Sequence, residues 1–328
     1  MGRFRNLMVR LAYAIVGCIA LVPGVIIGMG VLSLKNAPVI PPNRVDCRNF
    51  DKTAQIESHI RGGEFYFGSD SHYPEEAPAR LAKVKSFWID RTEVTNAQFS
   101  AFVSATGYVT HAERGLSESE ASGLPIEFRA PGSMVFEPPS TLEGASPIDW
   151  WRFTPGANWR HPQGPKSSIA GRENFPVVHV TIADATAYAR WAKRRLPTEI
   201  EWEFAAGNRE ESNKPSSLNR EAAANTWQGI FPLVDTAKDG FGGIAPVACF
   251  IANSNGLFDM IGNVWELTAS PYASSHEQPA DADSFVVKGG SFLCAQNYCA
   301  RYRPTARQPQ DAYLASSHIG FRTVRDEP

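Results

Sequence analysis

Residues 181–207 read TIADATAYARWAKRRLPTEIEWEFAAG, and the fold class follows from them. Thr181-x-x-Asp184 and Thr198-x-x-Glu201 each set a threonine that can accept from an early helical N–H three residues before an acidic side chain that can reach back, the mark of a helix start. The first helix is expected to run to about Lys193 and to bury Ala185, Tyr188, Ala189 and Ala192. The second is expected to end near Gly207, with Pro197 separating the two. From Asn208 onward helical periodicity disappears, and glycine, asparagine and aromatic residues dominate. Upstream, Arg61–Gly68 reads as a short strand entered by a glycine turn, and Val84–Asp90 as another. Thr95–Thr106 reads as a helix carrying Phe99, Phe102 and Val103 at helical spacing, with Gly107 as its terminator. The stretch from His111 to Thr154 reads as irregular surface chain. Together with 24 prolines and 26 glycines, these features describe an α+β domain with little regular secondary structure and much ordered loop.

The chain has 328 residues, 20 % of them charged, and a formal net charge of -2. It has no long run of like charge and no basic stripe interleaved with aromatics, which argues against a nucleic-acid partner. Residues 1–10 form a basic segment with Arg3, Arg5 and Arg10 and no acid; residues 11–34 then pass without a charge. As a helix those 24 residues would rise about 36 Å, enough to cross a hydrocarbon core of roughly 30 Å. One N-terminal transmembrane helix is therefore expected, with a cleaved signal segment as the alternative. The basic flank keeps the N-terminus in the cytoplasm and places the rest in the periplasm or outside the cell. Residues 35–57 read as a proline-containing linker, and residues 58–326 as one domain.

Five cysteines are too few for a disulfide scaffold, yet Cys294 and Cys299 lie five residues apart. Such a pair is open to three readings: a redox disulfide, a thiolate site for a soft metal, or an incidental pair. Cys18 falls in the apolar span, and the sequence leaves a Cys47–Cys249 disulfide open. His161, His179 and His318 show no ligand spacing and read as structural.

Several segments, in order, resemble the formylglycine-generating enzyme (sulfatase-modifying factor) family. They include Phe87-Trp88-Ile89-Asp90, Gly156-Ala157-Asn158-Trp159-Arg160-His161-Pro162, Asn225-Thr226-Trp227-Gln228-Gly229 and Gly262-Asn263-Val264-Trp265-Glu266. Gly289-Gly290-Ser291, the Cys-x-x-x-x-Cys pair and Gly320-Phe321-Arg322 close the series. The resemblance departs at Asn208–Ala224, where the family usually carries a Phe-Pro-Trp-Gly turn, and at Ile182, where it often has tryptophan.

The resemblance implies a C-type-lectin-like α+β fold and an oxidase that uses O2 to convert a cysteine in a Cys-x-Pro-x-Arg stretch of an unfolded sulfatase into Cα-formylglycine. It further implies that Cys294 and Cys299 bind Cu(I), a soft ion that favours thiolates. By the same resemblance Ser291 and Tyr298 belong to an oxygen pocket and Trp265 walls the cavity. It also implies two Ca2+ sites, one from Asn225, Thr226, Asp239 and Phe241, the other from Asp259, Gly262, Val264 and Glu266. A monomer tethered to the membrane is expected. The competing reading is a non-catalytic binding or assembly module of the same superfamily, a class that usually lacks both cysteines. An iron-dependent sulfoxide synthase would need a further helical domain with histidine ligands, for which the chain has no motif.

Overall fold

The structure, a computed structural model, describes residue 47 and residues 56–120, 126–139, 141, 146–207 and 224–327. The apolar stretch 11–34 lies outside these residues; among the described residues no helix is long and apolar enough to cross a membrane.

Both helix starts read from 181–207 form as expected. Thr181 accepts from Asp184 N–H and Asp184 reaches back to it, opening the helix Ile182–Trp191. Thr198 and Glu201 do the same for Glu199–Ala206. The first helix stops two residues short of Lys193, which adopts a left-handed φ of 57°. Asn96–Thr106 is capped by Thr95 and Gln98 and ended by Gly107 at φ 69°.

Two expectations are corrected. Val84–Asp90 is not one strand: Arg80–Val84 pairs with Gly63–Phe67, whereas Phe87–Asp90 belongs to another sheet. The stretch His111–Thr154 is not irregular throughout. It holds a capped turn of helix, His111–Arg114, and the strand Gly132–Phe136, which pairs with Trp151–Pro155. Both errors have one physical cause, since strand partners are chosen across the fold and leave little local trace.

Phe87–Asp90 is the central strand of a three-stranded antiparallel sheet, flanked by Glu57–Ile60 and Val324–Asp326, so the two ends of the domain meet there. A four-stranded sheet runs in the order Arg307–Asp311, Asp281–Lys288, Trp265–Tyr272, Ile319–Gly320, with the last pair parallel. The helices Asn96–Thr106 and Ile182–Trp191 lay Phe99, Phe102 and Tyr188 against Trp159, Leu267, Val287 and Phe321. Cys294 and Cys299 belong to this same buried cluster. Burying each such ring or branched side chain stabilises the fold by about 1.5–3 kcal/mol before entropy is counted.

Between the sheets lies a buried ion pair. Glu266 accepts from Arg322 Nε and Nη2, each at 2.6 Å, and from Trp202 Nε1 at 2.7 Å. Arg322 also donates to the carbonyls of Phe258 and Asp90. A second buried network ties helix Glu199–Ala206 to the four-stranded sheet: Lys288 donates to Glu203 at 2.8 Å, and Arg307 forks onto Glu199 at 2.7 and 2.9 Å. Cys47 and Cys249 form a disulfide across 202 residues of chain.

His179 is fully buried between Ser133 Oγ (2.7 Å) and the Pro162 carbonyl (2.8 Å). Burial lowers its pKa from an ordinary 6.5 to about 4.

Glu266→Gln should leave Arg322 buried without its counter-charge and lower unfolding stability by roughly 3–5 kcal/mol, with Glu266→Gln/Arg322→Met recovering part of the loss. Urea unfolding reads both; a single variant as stable as wild type would refute the assignment. For His179, the unfolded chain takes up a proton first as pH falls below 6.5. This imidazole therefore removes stability progressively from pH 6.5 to about 4, by about 3 kcal/mol over the whole window. His179→Gln should flatten that part of the stability–pH curve, and an unaltered slope would contradict the account.

Candidate functional site

The thiol pair sits on the loop that leaves strand Asp281–Lys288. Gly289 and Gly290, at φ 91° and 81°, turn the chain out of the sheet in a conformation that favours glycine. A Cβ on Gly289 would stand 3.1 Å from the Trp202 ring, and one on Gly290 3.0 Å from Tyr302 Cα. Three backbone bonds then pin the loop: Gly262 N–H to Gly289 O (3.0 Å), Phe292 N–H to Asn263 O (2.9 Å) and Trp227 N–H to Cys294 O (2.9 Å).

Cys294 and Cys299 remain as thiols, both buried, with the Cys294 S–H directed to Cys299 Sγ at 3.7 Å. Ser291 N–H donates to Cys294 Sγ at 3.4 Å, and Ser291 Oγ accepts from Leu293 N–H at 3.3 Å. Cys294 forms part of the wall of a cleft of about 310 Å3, alongside Thr226, Trp227, Gln228, Gln296 and Tyr302.

The remaining predicted site residues divide around the thiols. Tyr298 is stacked on Phe231 (centroids 4.5 Å, 14°) and meets Trp150 edge-on at 5.3 Å. It thus belongs to an aromatic wall with Trp150, Phe231 and Leu293. Trp265 is 2 % exposed and packs behind the thiols in the core cluster. Rather than lining the main cleft, it bounds a separate small cavity of about 30 Å3 with Trp151 and His318. Burial lowers the pKa of His318 to about 3, so its imidazole is neutral. Arg301 and Arg303, which follow the pair, are both buried and bind Glu75 and Glu76, with the Arg301 guanidinium 3.9 Å over the Tyr73 ring.

Among the described residues no three His, Cys, Asp or Glu side chains gather as a metal centre. The thiol pair nevertheless fits one soft ion: 3.7 Å is less than twice a metal–thiolate bond of about 2.3 Å, so one ion can reach both sulfurs. At the first oxygen-rich set, Asn225 is buried and its Oδ1 has no hydrogen-bond partner among the described residues. Asp239 binds the next residue along, accepting from Thr226 N–H and from Phe241 N–H, and burial raises its pKa to about 6. An orphaned carbonyl oxygen beside a carboxyl shielded from water fits a hard cation.

The second set does not assemble in the same way. Glu266 spends both oxygens on Arg322 and Trp202, while Asp259 accepts from Ala248 N–H at 2.6 Å. Glu93, which the sequence reading passed over, is buried beside Asp259. Burial, then the charges of Asp259 and Glu266, hold its carboxyl well above the usual range. In the sequence Glu93 stands just ahead of the helix that begins after Thr95, a place that carries no ligand chemistry.

The profile described as a Sulfatase-modifying factor enzyme 1-like domain matches residues 45–327. A formylglycine-generating enzyme of Mycobacterium tuberculosis is 46 % identical over 299 residues, covering 81 % of this chain and 96 % of that protein. An inactive Cα-formylglycine-generating enzyme 2 of Mus musculus is 40 % identical over 282 residues, covering 80 % of this chain and 83 % of that one. PvdO from Pseudomonas aeruginosa shares the fold at a TM-score of 0.58 and 22 % identity, over 83 % of this chain and 94 % of its own. With the thiol pair, the α+β frame and these likenesses in agreement, the chain belongs to the formylglycine-generating enzyme (sulfatase-modifying factor) family.

Proposed function

We propose that this chain is a copper-dependent oxidase that converts the cysteine of a Cys-x-Pro-x-Arg segment in an unfolded sulfatase into Cα-formylglycine, consuming O2. One observation carries the reading: two buried thiols stand 3.7 Å apart, and one of them lies in the wall of an open cleft. A non-catalytic module is the second reading, favoured by the 40 % identity to the inactive mouse relative. That reading gives no account of two buried cysteines 3.7 Å apart, one of them at a cleft wall.

Cys294 and Cys299 would hold Cu(I), which when bound supplies a site where a client thiolate and O2 meet and exchange electrons. The chain's own residues do the rest. The Ser291 N–H donates to Cys294 Sγ and fixes that sulfur beside Cys299. The Ser291 hydroxyl, fully buried and accepting from Leu293 N–H, still has its own proton to donate to oxygen. Trp265 closes the core side of the thiols and keeps water out, while Tyr298 backs the cleft wall by stacking on Phe231, which packs against Trp227. The client lies extended along the cleft, held by backbone hydrogen bonds.

Asn225 and Asp239, with the carbonyls of Thr226 and Phe241, would hold one Ca2+. This is the ion the fold needs most, because the Asn225–Trp227 segment also holds the carbonyl of Cys294. The second ion set is left with Asp259 and the carbonyls of Gly262 and Val264, since Glu266 is committed to Arg322. We place the domain outside the cytoplasm, tethered by residues 11–34; the Cys47–Cys249 disulfide supports an oxidising compartment.

Incubating the copper-loaded protein with a Cys-x-Pro-x-Arg peptide under air should give an aldehyde product by mass spectrometry. Cys294→Ser and Cys299→Ser should each reduce that product to background and abolish tight Cu(I) uptake; wild-type turnover by either would exclude the two-thiolate site. Chelating calcium should lower the melting temperature, an ion present at 100 times its Kd being worth about 2.7 kcal/mol. Cu(I) should stay bound throughout, and an unchanged melting curve would rule out the calcium assignment.

A further inference from the structure

Tyr302 lines the same cleft as Cys294, Ala295 and Gln296, and its ring packs against the core cluster that contains both thiols. Its neighbours explain why it faces there. Arg301 and Arg303 are both drawn to the Tyr73–Glu76 strap, where Glu75 and Glu76 pair with them and the Tyr73 ring lies 3.9 and 5.2 Å from their guanidinium carbons. With its two neighbours held on the strap, Tyr302 between them lies against the thiol cluster and lines the cleft. Behind it, Gly290 leaves room that a Cβ would close, at 3.0 and 3.1 Å from Tyr302 Cα and Cβ. Tyr302 is therefore presented by a buried clamp on both sides and a glycine at its back, the kind of rigid support a reacting site requires. Tyr298, by contrast, is occupied with Phe231 and Trp150.

We infer that Tyr302 is a further catalytic residue, whose phenol donates a hydrogen bond to the negative charge that develops in the cleft during turnover. The phenol, part-buried against the thiol cluster, is a hydrogen-bond donor through the neutral range. The inference rests on the oxidase reading of the same cleft.

The test is Tyr302→Phe in the full chain, assayed below the melting transition of both proteins. With copper and the Cys-x-Pro-x-Arg peptide, kcat should fall roughly 10- to 100-fold while KM and Cu(I) affinity stay within about 2-fold. A kcat within about 2-fold of wild type, or a fall in kcat matched by a fall in Cu(I) affinity, would each overturn the role of Tyr302. Absence of aldehyde from the wild-type protein would instead overturn the oxidase reading, and this inference with it.

Discussion

The buried pair Glu266–Arg322 holds the architecture together. A carboxylate and a guanidinium that are 1 % and 0 % exposed are tolerable only when every donor and acceptor is met, and here the partners come from five separate segments. Glu266 opens strand Trp265–Tyr272 and Arg322 follows the parallel strand Ile319–Gly320. Trp202 comes from the second capped helix, and the carbonyls of Asp90 and Phe258 come from a strand end and a loop. The family motifs around Trp265-Glu266 and Phe321-Arg322 are thus two halves of one interaction, separated by 56 residues.

From that pair the constraint passes directly to the chemistry. The turn that delivers Glu266 also contains Gly262 and Asn263, which bond to Gly289 and Phe292 on the thiol loop. Asn263 in turn receives Asn225 Nδ2 at its side chain, and the segment beginning at Asn225 holds the Cys294 carbonyl. The thiols are therefore positioned by backbone bonds from two loops that contain no regular structure of their own. Such loops have few ladder bonds to order them, which explains why a cation at Asn225 and Asp239 would stabilise the site rather than react in it.

The four cysteines among the described residues serve opposite ends. Cys47 and Cys249 are joined and cross-link distant parts of the chain. Cys294 and Cys299, with sulfurs 3.7 Å apart, are thiols packed in the aromatic core on one side, and Cys294 also borders a polar cleft. The Arg301 and Arg303 clamp reaches from the far end of the domain, 226 and 227 residues away in sequence, to fix the chain that follows them. Rigid support around the pair with access from the cleft is what the proposed site demands.

The sequence alone determined the three main helices, because a capping threonine, its partner three residues on and an apolar face are local features that local physics decides. It also singled out Cys294 and Cys299, since two thiols five residues apart are unusual in so cysteine-poor a chain. Tertiary structure decided what strands pair with, which is why Val84–Asp90 had to be divided and the hairpin around Met134 was missed. It decided as well that Glu266 belongs to Arg322, that Tyr298 stacks in a wall while Tyr302 faces the cleft, and that Glu93 lies beside Asp259. The physical reason is common to all of these: an ionisable or aromatic side chain has no role until the fold sets its neighbours and removes its water, and neither is written in the residues next to it.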